Sequence, residues 1–177
     1  MRDFHANQSS LPEEVVMRGI ALLFLLLLTP VPGAAADVDV PDPQLRDTCP
    51  VCGMLVARYP AWIATVLYED GHADHFDGAK DLFKYLFDLP RYAPGRSTGE
   101  ITAIGVTEYY GLTRIDAHSA WYVIGSGVLG PMGHELVPLE TRADAEEFME
   151  DHQGSRILRF DEVTPELLER LDAGRVR

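Results

Sequence analysis

An order of strand, strand, helix and strand occurs in both halves of the chain, and it limits the folds open to it. Trp62–Tyr68 is β-branched and aromatic and reads as a strand starting near Ala61. Glu69-Asp70-Gly71 is a hairpin turn signal, and His72–Phe76 is the return strand. Asp77 or Gly78 caps a helix that carries Ala79, Leu82, Phe83, Leu86 and Phe87 on one face, and Pro90 ends it. After a Pro-Gly-Ser loop, Ile101–Tyr109 reads as the third strand. The second half follows the same plan. Ala120–Gly125 echoes the first strand, Glu135–Leu139 returns, and Thr141 caps a helix carrying Ala145, Phe148 and Met149 inward. Arg156–Phe160 is a strand, and Thr164–Leu171, with Pro165 at its first position, is a closing helix. Two copies are too few for a solenoid. The expectation is an α+β fold of two similar ββαβ units, residues 48–113 and 114–177. They share a core, because about 60 residues alone bury little. A single α+β domain without a repeat is the competing reading.

Ahead of these units, residues 20–28 form an uncharged apolar run after Arg18, followed by T-P-V-P-G-A-A-A. Nine helical residues span about 14 Å, against a bilayer core of about 30 Å. Pro30, Pro32 and Gly33 stop the run from extending. The segment reads as a signal peptide, residues 1–36, cleaved after Ala36. No cysteine follows that point to take a lipid. Residues 37–47, acidic and proline-punctuated, read as a flexible arm. A periplasmic, exported protein is expected. The net charge of −13 argues against nucleic acid as a partner.

The densest chemical signal is Cys49-Pro50-Val51-Cys52-Gly53-Met54, three sulfur side chains in six residues. Thiolate and thioether are soft donors and select Cu(I). In an extended chain Cys52 and Met54 point to one face, with Gly53 leaving room. A second signal is Gly130-Pro131-Met132-Gly133-His134, where Met132 sits in a loop with no periodic reason to be apolar. It reads either as a plug over the core or as a third soft ligand, and His134 is a weaker candidate. Two other readings stand beside copper. Cys49 and Cys52 form a C-P-x-C pair that suits thiol–disulfide exchange. With His72 and His75 they also spell a C-x₂-C, H-x₂-H zinc pattern, although the histidine spacing is short and a strand would turn the two rings apart. Phosphate loops, nucleotide fingerprints and nucleophile elbows are lacking, so no enzyme is read.

Together C-G-M (52–54), F-D-G-A-K-D (76–81), Y-V-I-G-S (122–126), G-P-M-G-H-E-L (130–136) and D-A-E-E-F (144–148) resemble the NosL family, the accessory copper-binding proteins of the nitrous oxide reductase system. The resemblance covers about residues 48–162. It implies a small periplasmic Cu(I) chaperone for assembly of the nitrous oxide reductase copper centres. It further implies work beside a membrane transporter complex and two ββαβ units similar to organomercurial lyase. Carried over, Cys52 and Met54 match the family's copper motif and Met132 its P-M-G loop, and Cys49 is added by proximity. Typical members are lipoproteins, and this sequence departs from that pattern.

Overall fold

The computed structural model describes residues 34–175. The signal-peptide reading falls on residues outside that range, except for Ala34–Ala36.

The first sheet has the order β2-β1-β3-β4 and is antiparallel throughout. Its strands are β1 (Ala64–Tyr68), β2 (Ala73–Phe76), β3 (Ile101–Thr107) and β4 (Arg114–Asp116). Between β2 and β3 the chain forms α1 (Ala79–Phe87) and a short α2 (Leu89–Tyr92). The second sheet, also antiparallel, has the order β8-β5-β9. It is built from β5 (Trp121–Ile124), β8 (Val137–Leu139) and β9 (Arg156–Leu158). A small hairpin of β6 (Leu129–Gly130) and β7 (Gly133–His134) precedes β8. The helix α3 (Arg142–Asp151) lies between β8 and β9 in sequence, and α4 (Pro165–Asp172) closes the described chain. In both sheets the first strand is central, flanked by its return strand and by the strand after the helix. The duplicated ββαβ plan is therefore present in topology as well as in sequence order.

Alternation along β5 explains how the halves share a core. Tyr122 and Ile124 face the main core, with Val66, Phe76, Phe83 and Leu158. Val123 points the other way, against Val137, Leu139, Ala145 and Phe148 under α3. The rings of Phe83 and Tyr122 meet edge-on at 5.4 Å, so a helix of the first half packs directly on a strand of the second. Burying such rings contributes roughly 2–3 kcal/mol each.

Local chemistry sets several boundaries. Thr141 caps α3 by accepting the Asp144 N–H at 3.1 Å, and Asp144 Oδ2 accepts the Thr141 N–H in return. Thr164 caps α4, with Pro165 in its first turn. Pro90 does not end the first helix as expected. That helix stops at Phe87, and Pro90 opens α2, where its missing N–H would have had no helical partner anyway. Trp62 lies in a 3₁₀ turn ahead of β1 rather than in the strand.

Two segments differ from the sequence reading. Arg114–Asp116, read as the start of the second unit, pairs with β3 as the fourth strand of the first sheet. Residues 37–47, read as a flexible arm, are docked. Asp37 bridges to Ile115, Val38 N–H donates to the Arg114 carbonyl at 3.1 Å, and Arg114 pairs with Asp42 at 3.2 Å. The arm crosses the sheet at Gly105, where a Cβ would lie 2.7 Å from a Val40 methyl carbon. Only glycine leaves room there for the Val38 and Val40 side chains to pack onto the strand. Ala35 and Ala36 join in, the first donating to Glu140 and the second accepting from Asp116.

Candidate metal centre

The arm leads into a closed loop. Thr48 bridges to Leu55, Cys49 N–H donates to the Met54 carbonyl at 2.9 Å, and Gly53 N–H donates to the Cys49 carbonyl at 2.8 Å. Gly53 sits at φ 78°, the left-handed region that favours glycine. The segment is thus a tight turn and not the extended chain from which a common face for Cys52 and Met54 was argued.

The turn sets both thiols on the start of α1. Cys49 is buried and its Sγ donates to Asp81 Oδ2 at 3.5 Å. Cys52 is half-buried and its Sγ donates to Asp77 Oδ1 at 3.1 Å. One ligand atom from each of these four residues lies within 4.8 Å of all the others. Asp77 is 1% exposed, yet its Oδ2 has no hydrogen-bond partner. A buried, unpaired carboxylate oxygen is costly, and it marks a place where a cation or a donor belongs.

The electrostatics favour the protonated thiols. Burial, with the Asp81 charge beside it, pushes Cys49 up to about 12. Burial pushes Cys52 up further, helped by its bond to Asp77. Reactive redox cysteines need the opposite, an electropositive setting that stabilises thiolate. Cys52 also lies in a turn rather than at a helix N-terminus.

Met132 approaches from the second half. It occupies the tip of the β6–β7 hairpin, between Pro131 and Gly133, and is 44% exposed. Cys52, Asp81 and Met132 line one open cavity of about 700 Å³, together with Val51, Lys84 and Leu168. The structure therefore brings Cys52 and Met132 to a common space and places Cys49 behind Cys52. Met54, half-buried, is not among that cavity's lining residues.

The histidines lie apart from this cluster. His75 is buried against Thr65 (2.9 Å) and faces Asp47, while His72 is exposed and contacts Asp74. The zinc pattern with the cysteines is not assembled; carboxylates stand where histidines would. His134 is half-buried with Nδ1 unpartnered. Asp77 and Asp81 were the residues missed. Asp77 lies two residues ahead of α1 and Asp81 in its first turn, so no helical spacing pairs them in the sequence.

Fold and site together define a duplicated ββαβ protein with a mixed thiol and carboxylate centre beside an exposed thioether. The sequence profile of NosL matches residues 41–168, and the chain belongs to the NosL family. It is 31% identical over 131 residues to the copper-binding lipoprotein NosL of Stutzerimonas stutzeri, across 70% of this chain. The match spans 65% of that relative, just under two thirds of its length. The crystal structure of the copper chaperone NosL from Shewanella denitrificans superposes with a TM-score of 0.60 at 26% identity, covering 72% of this chain and 97% of that one. Neither relative is named for an enzymatic activity.

Proposed function

We propose that this chain is a periplasmic Cu(I) metallochaperone that supplies copper for assembly of the nitrous oxide reductase copper centres, beside that system's membrane transporter complex. The observation that carries the reading is the convergence of Cys52, backed by Cys49, and Met132 on one open cavity. The names of the two relatives support copper as the cargo. Cys52 and Met132 are the primary donors, Cys49 is the second thiol, and Met54 joins if the loop turns on binding.

Soft sulfur donors select Cu(I) from harder ions. The thiols must lose their protons as the ion enters, so affinity rises with pH. Because the cavity is open, a partner's sulfur can attack the held ion before the first donors leave. The ion then passes through a shared intermediate without being free. Asp77 and Asp81 orient the two thiols before the ion arrives. Thiol–disulfide exchange by Cys49 and Cys52 is the weaker reading, since both thiols are held protonated.

The test is an anaerobic titration of the reduced protein with Cu(I) against a chromogenic Cu(I) chelator. One tightly held ion per chain is expected, with affinity lost in Cys52→Ser and reduced in Met132→Leu. Copper-loaded protein should then restore copper to apo nitrous oxide reductase. If the chelator keeps all the copper, the chaperone reading is wrong.

A further inference from the structure

Lys80 is almost completely buried, at 1% exposure, which is rare for a lysine. Its surroundings explain the burial. Its Nζ donates to the Met132 carbonyl at 3.0 Å and pairs with Asp172 Oδ1 at 3.0 Å. Its backbone N–H donates to Glu135 Oε1 at 2.6 Å. Met132 and Glu135 lie on either side of β7. One residue of α1 therefore holds the hairpin twice, at its tip through the ammonium and just past its base through the amide.

The hairpin needs such an anchor. Its two strands pair over only two residues each, Leu129 with His134 and Gly130 with Gly133. Isolated two-stranded ribbons are marginal even when longer. Gly133 takes φ 86°, so the tip has glycine's freedom on one side. The Met132 side chain is 44% exposed, so packing does little to fix it. The bond to Lys80 fixes the backbone carbonyl of Met132, the base from which that side chain extends.

We propose that Lys80 is a positioning residue that sets the Met132 thioether opposite Cys52, so that three sulfurs meet one ion. The proposal rests on the Cu(I) reading above. It extends that reading to the whole segment Asp77–Asp81. Asp77 and Asp81 hold the two thiols, and Lys80, between them, holds the third donor. One stretch of five residues is thus the template for donors that come from both halves of the chain.

The experiment is a double-mutant cycle on the full chain, with Lys80→Leu, Met132→Leu and both together. It reads Cu(I) affinity by chelator competition, the number of Cu–S contacts by X-ray absorption, and melting temperature of the metal-free protein. Loss of an outer positioning contact typically weakens metal affinity roughly 10–100-fold. We expect Lys80→Leu to weaken binding by such a factor, to remove one sulfur from the copper shell, and to add nothing once Met132 is leucine. A melting change common to both backgrounds does not mimic that pattern. If Met132→Leu weakens binding but Lys80→Leu does not, or if Lys80→Leu weakens it equally with leucine at 132, the positioning role is overturned and the copper reading stands. If the wild-type protein holds no Cu(I), the copper reading itself fails. Should Lys80→Leu not fold, Asp172→Ala takes its place. It removes the half-exposed carboxylate that aims the ammonium, and the same non-additive pattern is expected at smaller amplitude.

Discussion

Glu135→Gln should make the protein more stable at neutral and mildly alkaline pH. The Glu135 carboxyl is 3% exposed and burial pushes it up from its ordinary 4.5 to about 8, against the pull of two backbone N–H bonds and Lys80. The folded protein therefore keeps a proton that the unfolded chain has already released. Stability from this group is fully present below pH 4.5 and is lost as pH rises through about 8. At 1.36 kcal/mol per pH unit, the loss between pH 5 and pH 8 is about 4 kcal/mol. Glutamine keeps the oxygen that accepts from Lys80 and Leu136 and removes the charge. Urea unfolding of the metal-free, reduced protein at steps from pH 5 to pH 8 reads the effect. With a slope of roughly 2 kcal/mol per molar urea, the gap between variant and wild-type midpoints should open by about 2 M across that range. The difference isolates Glu135, because burial of His75 affects both proteins alike and in the opposite sense. A gap that stays constant from pH 5 to pH 8 would show that Glu135 is ionised throughout and refute the argument.

Two further outcomes follow from the arm and the thiols. Gly105→Val places methyl groups where Val40 and Val38 already lie, so it should displace the docked arm and cost about 1–3 kcal/mol, read by urea unfolding and by faster proteolysis between residues 37 and 47. Cys49, pushed up to about 12, has a thiolate fraction of about 10⁻⁴ at pH 8, so it should alkylate about a thousandfold more slowly than an exposed cysteine, with the rate still climbing above pH 10; a rate that levels off near pH 9 would contradict its burial against Asp81.

How much of this was legible in the sequence depends on the range of the interaction. The strands and helices are local, and their signals were plain: β-branched runs at 64–68 and 121–124, Thr141 and Thr164 as caps, and Pro165 at a helix start. The duplicated order followed from them. The candidate donors Cys49, Cys52 and Met132 stood out by their loop context, although Cys49 proves to be packed in the main core. What the sequence could not display was partnership across distance. Asp77 lies 25 residues from Cys52, Asp81 lies 32 from Cys49, and Lys80 lies 52 from Met132. The arm was misread for a related reason. Its prolines and acidic residues suit a linker, and the contacts that dock it, at Gly105, Arg114 and Ile115, lie far along the chain.

The carboxylates beside the thiols bear on the order of events. Each thiol donates to a different aspartate, and the two thiols also lie within hydrogen-bonding reach of each other. A disulfide between Cys49 and Cys52 would have to break both bonds; Asp81 would keep its Lys84 partner, but Asp77, whose second oxygen is already unpaired, would lose its thiol donor. Thiolate attack, the step that starts such oxidation, is also suppressed by the burial of both groups. A thiophilic metal also needs both thiols deprotonated. It replaces the thiol protons directly, and its positive charge relieves the same carboxylates that the protonated thiols only partly satisfy. On the copper reading, the acidic residues that look out of place in a soft-metal site are what keep its sulfurs reduced until the ion arrives.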